Sequence, residues 1–246
     1  MEDSFRHVAP FYDVLMAEVP YDEWLEYYRL LLTLNNSRPK TLLDVCCGTG
    51  ILAEMLCHVG FEVTGFDLSE PMIEVANARA PSLKMGFHVA DARIFDLGRS
   101  FEGAYSFFDS LNYLTTTEAL NDALRRVAGH LDPGAYFIFD LNTEYAFVHR
   151  MFDQKDLRGA HGLKYDWKGD YDRESRLIDV RMDFEWQGEK VTVHQMQRAH
   201  PLDEVRELLA DAGFKAVRAY HSYSLDPVRK SSDRVHFVAR GSGRPV

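Results

Sequence analysis

The stretch Thr41-Leu42-Leu43-Asp44-Val45-Cys46-Cys47-Gly48-Thr49-Gly50 constrains this chain most, because a short apolar run ends there in a tight glycine turn. A helix-like segment, Ile51 to His58, follows at once, and a second apolar run, Phe61 to Phe66, ends in Asp67. Such a β-loop-α-β unit is the front end of a nucleotide-cofactor site. The glycines let backbone approach a ligand closely, and the helix start offers free N–H groups. An acidic side chain at the end of the second strand accepts two hydrogen bonds from ribose hydroxyls.

The spelling of the turn selects among adenosine cofactors. A dinucleotide site uses G-x-G-x-x-G/A so that a pyrophosphate rests on the helix end. Here the turn reads Cys46-x-Gly48-x-Gly50, with Ala53 at the third position and Asp44 before it. Ala53 decides little. Asp44 puts negative charge where a diphosphate would be repelled and a ligand ammonium welcomed. S-adenosylmethionine carries an ammonium and a sulfonium and no phosphate. On Asp44-Val45-Cys46-Cys47-Gly48-Thr49-Gly50 with Asp67 in step, the chain resembles the class I S-adenosylmethionine-dependent methyltransferases. The resemblance covers residues 5–145 well and the C-terminal part loosely. Within it, the run Phe108 to Leu114 resembles a branch of small, mostly uncharacterised bacterial enzymes. That family usually has Gly or Ala where Cys46 stands; Cys is small, so binding is expected to survive with a slightly altered fit.

Length and composition set the remaining bounds. The chain has 246 residues, enough for a full core and one domain with an elaboration. Its net charge of −10 argues against nucleic acid as the main partner, because phosphate binding needs a basic surface. Cys46, Cys47 and Cys57 form no paired metal-type spacing, so no metal is expected, and the protein reads as reduced and cytoplasmic. The N-terminus lacks an apolar signal core, and no apolar run reaches membrane-spanning length, so no membrane is expected as a partner.

Along the chain, Tyr21 to Leu34 has helical spacing, and residues 5–16 are expected to form a short helix or lid. The pattern then alternates as in a parallel sheet with crossover helices. Strands are expected at Thr41 to Cys46, Phe61 to Phe66, Gly86 to Val89, Phe101 to Phe108 and Ala135 to Leu141. Helices are expected at Glu70 to Arg79 and Thr117 to Leu131, and Asp132-Pro133-Gly134 reads as a turn. Leu177 to Trp186 alternates strictly, as a half-buried antiparallel strand does. A turn at Gln187-Gly188 would set Glu185 opposite Lys190 and Phe184 opposite Val191. A helix, Leu202 to Ala212, precedes final strands at Phe214 to Leu225 and Arg234 to Arg240. The expected fold is therefore α/β and Rossmann-like. It has a seven-stranded, mostly parallel sheet with an antiparallel last hairpin, plus a small antiparallel β insertion after strand five. Residues 1–144 and 202–246 would form the cofactor-binding domain, and residues 145–201 the insertion, a lid on the substrate side.

The resemblance implies site residues position by position. Asp67 is the ribose ligand, and Asp91, beside Ala92, receives the adenine amino group. Leu68 and Met72 flank the adenine or simply pack their helix. The Gly48-Thr49-Gly50 turn with Cys46 holds the methionine end, and Asp44 meets the amino group directly or through water. Tyr12 closes over the sulfonium or is a plain amphipathic-helix residue, and Tyr21 and Trp24 either complete that lid or pack in the core. Phe108 lies beside the methionine moiety. Asn112 and Tyr113 face the acceptor, as do Asp109 and Ser110 unless they only cap the next turn.

Methyl transfer is an in-line displacement in which positioning and desolvation supply much of the catalysis, so sequence constrains it weakly. By parity, His194, Met196, Arg198 and His200 share one face of the return strand. Facing inward, Arg198 would hold an acidic substrate and His194 or His200 would serve as base; facing outward, the four are a solvated edge, the favoured alternative. The expected activity is methyl transfer from S-adenosylmethionine to N or O of a small-molecule acceptor. The rivals are a non-enzymatic cofactor-binding or assembly protein, with the acceptor side plugged by Phe108 or the insertion, and an NAD-dependent oxidoreductase. A homodimer through the insertion's exposed apolar strand is a further arrangement.

Overall fold

The structure, a computed structural model, describes residues 4–79 and 83–242. Helix α1 (Tyr12–Leu15) and helix α2 (Tyr21–Leu34) precede the sheet. Then come β1 (Thr41–Val45), α3 (Ile51–His58), β2 (Glu62–Asp67), α4 (Glu70–Ala78), β3 (Met85–Val89) and β4 (Phe101–Ser106). Helix α5 (Thr117–Gly129), β5 (Leu131–Asn142) and α6 (Glu144–Val148) follow. Four antiparallel strands come next: β6 (Gln154–Asp156), β7 (Leu163–Asp172), β8 (Leu177–Trp186) and β9 (Glu189–Arg198). Helix α7 (Leu202–Asp211), β10 (Phe214–His221) and β11 (Arg234–Gly241) close the chain.

The main sheet runs β10-β11-β5-β4-β1-β2-β3, parallel except for β11, which pairs antiparallel with both its neighbours. Strand order reverses between β1 and β4, so the crevice at their carboxyl ends is where an open α/β sheet binds ligands. Helix α5 shows why helices cover this sheet. Leu120, Ala123, Leu124, Val127 and Ala128 recur at helical spacing and are buried, and Thr116 caps the first turn by accepting from Ala119 N at 3.1 Å. Removing either leucine side chain would cost about 2–5 kcal/mol.

The second sheet runs β6-β7-β8-β9. Its hairpin has the expected register, with Glu185 opposite Lys190 and Phe184 opposite Val191. Ile178, Val180, Met182 and Phe184 are buried together with Val8, Phe11, Ala146 and Phe147. The insertion's apolar face is therefore covered by the chain's own N-terminal segment and α6.

Two local expectations need correction. Asp132-Pro133-Gly134 is not a turn between elements. It lies inside β5 as an irregularity: Phe101 pairs with Leu131 and Gly103 with Tyr136, so β5 carries three extra residues there. Gly134, at φ 84°, makes the bend possible. Strand β4 stops at Ser106 because Phe108 and Asp109 both turn to positive φ, 65° and 51°. Among the described residues, no helix is long and apolar enough to cross a membrane.

Candidate active site

A cavity of about 390 Å³ opens at the carboxyl ends of the parallel strands, and its residues come from both sheets and from the N-terminal helices. The structure brings Tyr12, Asp44, Cys46, Gly48, Thr49, Asp67, Leu68, Met72, Asp91, Ala92, Phe108 and Tyr113 to this one cavity. Tyr21 and Trp24 line it too, and Trp24 also stacks on Tyr223 with centroids 5.6 Å apart.

The turn after β1 is built by backbone geometry. Cys46, Gly48 and Gly50 all have positive φ, which is costly for cysteine. A Cβ on Gly50 would lie 2.8 Å from the Phe87 ring, whereas one on Gly48 would meet nothing within 4 Å. Gly50 is thus fixed by packing, and Gly48 borders open space a ligand can occupy. Asp67 fastens this turn to β2: its carboxylate accepts from Gly48 N and Ser69 N, both at 3.0 Å. Burial lifts the Asp44 carboxyl to about 7, even though the Tyr105 hydroxyl donates to it at 2.8 Å. Burial, reinforced by nearby carboxylates, also raises the Cys46 and Cys47 thiols, so neither is a reactive thiolate. Asp91 is gripped by its neighbour: the Arg93 side chain donates to both carboxylate oxygens at 2.5–3.1 Å and holds the pKa low. The carboxylate keeps further lone pairs for an amino group.

Asp13 latches the N-terminal segment over the turn. It accepts from Thr49 Oγ1 at 2.6 Å and pairs with Arg79, which also reaches Glu54 at 2.7 Å and the Thr49 carbonyl. Asp13→Ala should therefore speed amide exchange across Tyr12–Leu15 about 5- to 10-fold, the loss of roughly 1 kcal/mol of latch. Unchanged exchange in that segment would show that the apolar contacts of Val8 and Phe11 hold it alone.

Beyond β4 the structure departs from the sequence expectations. Asn112 does not face an acceptor. It is fully buried, donates to the carbonyls of Asn142 and Arg198 at 3.0 and 2.8 Å, and accepts from Asn142 N at 2.9 Å. It ties β5 to β9. Arg198 does not line the cavity either; it forks onto Glu204 at 2.6 and 3.2 Å. On that strand His194 and Met196 are exposed, as the outward alternative holds, while His200 is buried against Leu114 O at 2.9 Å. The opposite parity, Gln195 and Gln197, faces the cavity. Asp109 and Ser110 do not act as side-chain caps on the following turn.

Asp109 instead joins a cluster that sequence reasoning missed. Asp140 accepts from the backbone N–H groups of Phe108 and Asp109 at 3.3 and 2.8 Å. Arg234 bridges the two carboxylates, 2.6 Å to Asp140 and 2.8 Å to Asp109, and Gln197 Nε2 donates to Asp109 at 2.8 Å. Burial raises the Asp109 carboxyl, opposed by Arg234. Burial disfavours the Arg234 cation, but Asp140 and Asp109 outweigh it and keep the guanidinium charged. Tyr12 faces this region, and burial, with Tyr21, Tyr113, Asp109 and Asp67 nearby, holds its hydroxyl neutral.

Comparisons with known proteins agree with this geometry. A family model described as a methyltransferase domain matches residues 42–134. The chain is 29% identical to the putative methyltransferase YqeM of Bacillus subtilis, over 97% of each chain. It is 40% identical over 100 residues, 41% of each chain, to the dTDP-3-amino-3,4,6-trideoxy-alpha-D-glucopyranose N,N-dimethyltransferase of Streptomyces venezuelae. Its fold matches an S-adenosylmethionine-dependent methyltransferase from Clostridium acetobutylicum with TM-score 0.84 at 23% identity, covering 98% of this chain and 99% of that one.

Proposed function

Because the chain is a class I S-adenosylmethionine-dependent methyltransferase, we propose that it methylates nitrogen or oxygen of a small-molecule acceptor held beneath the second sheet. The observation that carries this reading is the continuity of the cavity. It runs from the Gly48 turn, Asp67 and Asp91 to Trp167, Met182 and Phe184 of the inserted strands. Phe108 lines that passage and does not plug it, which speaks against a non-enzymatic role. The named substrate of the Streptomyces relative, an amino sugar linked to a nucleoside diphosphate, supports a small-molecule acceptor.

The donor set fits the cofactor: Gly48 borders open space, and Asp44, Asp67 and Asp91 offer acceptors to an ammonium, a ribose and an amino group. When bound, the cofactor supplies an electrophilic methyl group on a sulfonium. In this reading Asp67 holds the ribose, Asp91 the adenine amino group, and Leu68, Met72 and Ala92 the adenine ring. The Cys46–Gly50 turn holds the methionine end, and Tyr12 excludes water above it. Residues 145–201 act as the acceptor-side lid, and Tyr113 and Gln195 orient the acceptor. What the protein contributes is orientation and a dry site.

Methyl-labelled S-adenosylmethionine incubated with the protein and a fractionated cell extract tests this. Label is expected in the small-molecule fraction; label confined to protein or nucleic acid would contradict it.

Asp44 adds a pH dependence. A ligand ammonium beside it favours the ionised carboxylate, whose pKa without ligand is about 7. Binding should then release a proton below pH 7, and affinity should fall by up to about tenfold per pH unit. The unliganded fold has the opposite sign. Its raised pKa gives stability that is full below the unfolded value of 3.8 and is lost as pH rises to about 7. Titrations from pH 5.5 to 8 in buffers of different ionisation enthalpy would measure the proton; flat affinity would remove Asp44 from the ammonium site.

A further inference from the structure

Resting on that reading, we propose that the acceptor end takes an uncharged or amine-bearing ring and rejects acceptors that would bring a phosphate or carboxylate inside the cavity. Charge and desolvation set this preference. Among the described residues that line the cavity, the carboxylates are Asp44, Asp67, Asp91, Asp109 and Asp233, and the cations are Arg93 and Arg234. Both arginines are already committed. Arg93 is paired with Asp91 at 2.5 Å, and Arg234 is paired with Asp109 and Asp140. Recruiting Arg234 to an anionic ligand would strand two buried carboxylates, a change that costs several kcal/mol.

The remaining polar groups at this end are neutral. The Tyr113 hydroxyl donates to Gln195 Oε1 at 2.5 Å. Gln197 gives its amide N–H to Asp109, and its Oε1 is buried without a hydrogen-bond partner. Trp167 Nε1 is likewise buried and unpartnered. Phe152, Trp167, Val180, Met182 and Phe184 supply an apolar wall from the inserted segment. A ring gains burial against that wall, and a hydroxyl or amine finds neutral partners. A phosphate or carboxylate would lose its hydration, meet no uncommitted cation there and feel the Asp109 and Asp233 charges. The fold thus discriminates by repulsion as well as by fit.

Three indoles sharing one ring test this by calorimetry on the full chain, with and without S-adenosylhomocysteine: tryptamine, tryptophol and indole-3-propionate. Tryptamine and tryptophol are expected to bind roughly tenfold or more tighter than the propionate. Equal or tighter binding of the propionate, or no binding by any of the three, would overturn the proposal. Failure of S-adenosylhomocysteine to bind counts against the cofactor reading alone, because the charge ranking is read separately on the unliganded chain. A variant at the rim isolates the cause. Gln154 is exposed at the cavity rim, in register with Trp167. Gln154→Arg should tighten the propionate about fivefold or more and leave tryptophol within about twofold. Parallel changes in both, or none for the propionate, would show that charge does not set the preference.

Discussion

Arg234→Met should destabilise the fold by about 3–5 kcal/mol and lower the melting temperature by roughly 6–20 °C. Arg234 is the cation between Asp109 and Asp140, both buried. Methionine matches the chain length but leaves two carboxylates without a counter-charge in a site that water barely reaches. The backbone is also at stake. Phe108 and Asp109 hold consecutive positive φ values because their N–H groups converge on Asp140. Phe108 in that region costs of order 1–3 kcal/mol, Asp109 less, and only the surrounding structure keeps them there. Denaturant titration of wild type and variant measures the loss, with Arg234→Lys as the milder control. A loss under about 1 kcal/mol for the methionine variant would mean that Asp109 and Asp140 shed their charge by protonation and that the arginine is dispensable.

Asp67→Ala should weaken S-adenosylmethionine binding about 10²- to 10⁴-fold. The estimate assumes two charge-assisted hydrogen bonds to ribose hydroxyls, each contributing about 1.5–3 kcal/mol. The variant also removes the acceptor of Gly48 N and Ser69 N, so the turn itself loosens. Asp67→Asn separates the two effects. It keeps an oxygen for the turn while removing the charge, and it should recover part of the affinity. A Kd within about tenfold of wild type for the alanine variant would place the ribose elsewhere in the cavity.

The sequence was most legible where local chemistry and periodicity agree. The glycine turn with Asp67 in step specifies the β1-α3-β2 unit, and the structure joins them through Gly48 N. Strict alternation from Leu177 to Trp186 carries the hairpin register, because a slip of one residue would turn Ile178, Val180, Met182 and Phe184 to solvent. What stayed hidden depends on partners distant in the chain. Arg234 meets Asp109 across 125 positions, and nothing in either neighbourhood announces the pair. Parity on β9 holds for His194 and Met196, but the side facing the cavity is Gln195 and Gln197, and amides carry no charge pattern that would single them out. Asn112 looks like a ligand-binding residue because its amide is versatile; burial spends that capacity on the Asn142 and Arg198 backbone. Asp132-Pro133-Gly134 has turn composition, yet Phe101 N donates to His130 O at 2.8 Å and pairing resumes at Tyr136, so the segment becomes a bulge.

The Gly48 turn, Asp67 and Asp91 should hold S-adenosylmethionine and not a dinucleotide. Calorimetric titration of the wild-type chain with S-adenosylmethionine and, separately, with NAD tests it most directly. Micromolar binding of S-adenosylmethionine with no detectable NAD binding is the expected result. Absence of S-adenosylmethionine binding, or tighter binding of NAD, would contradict it.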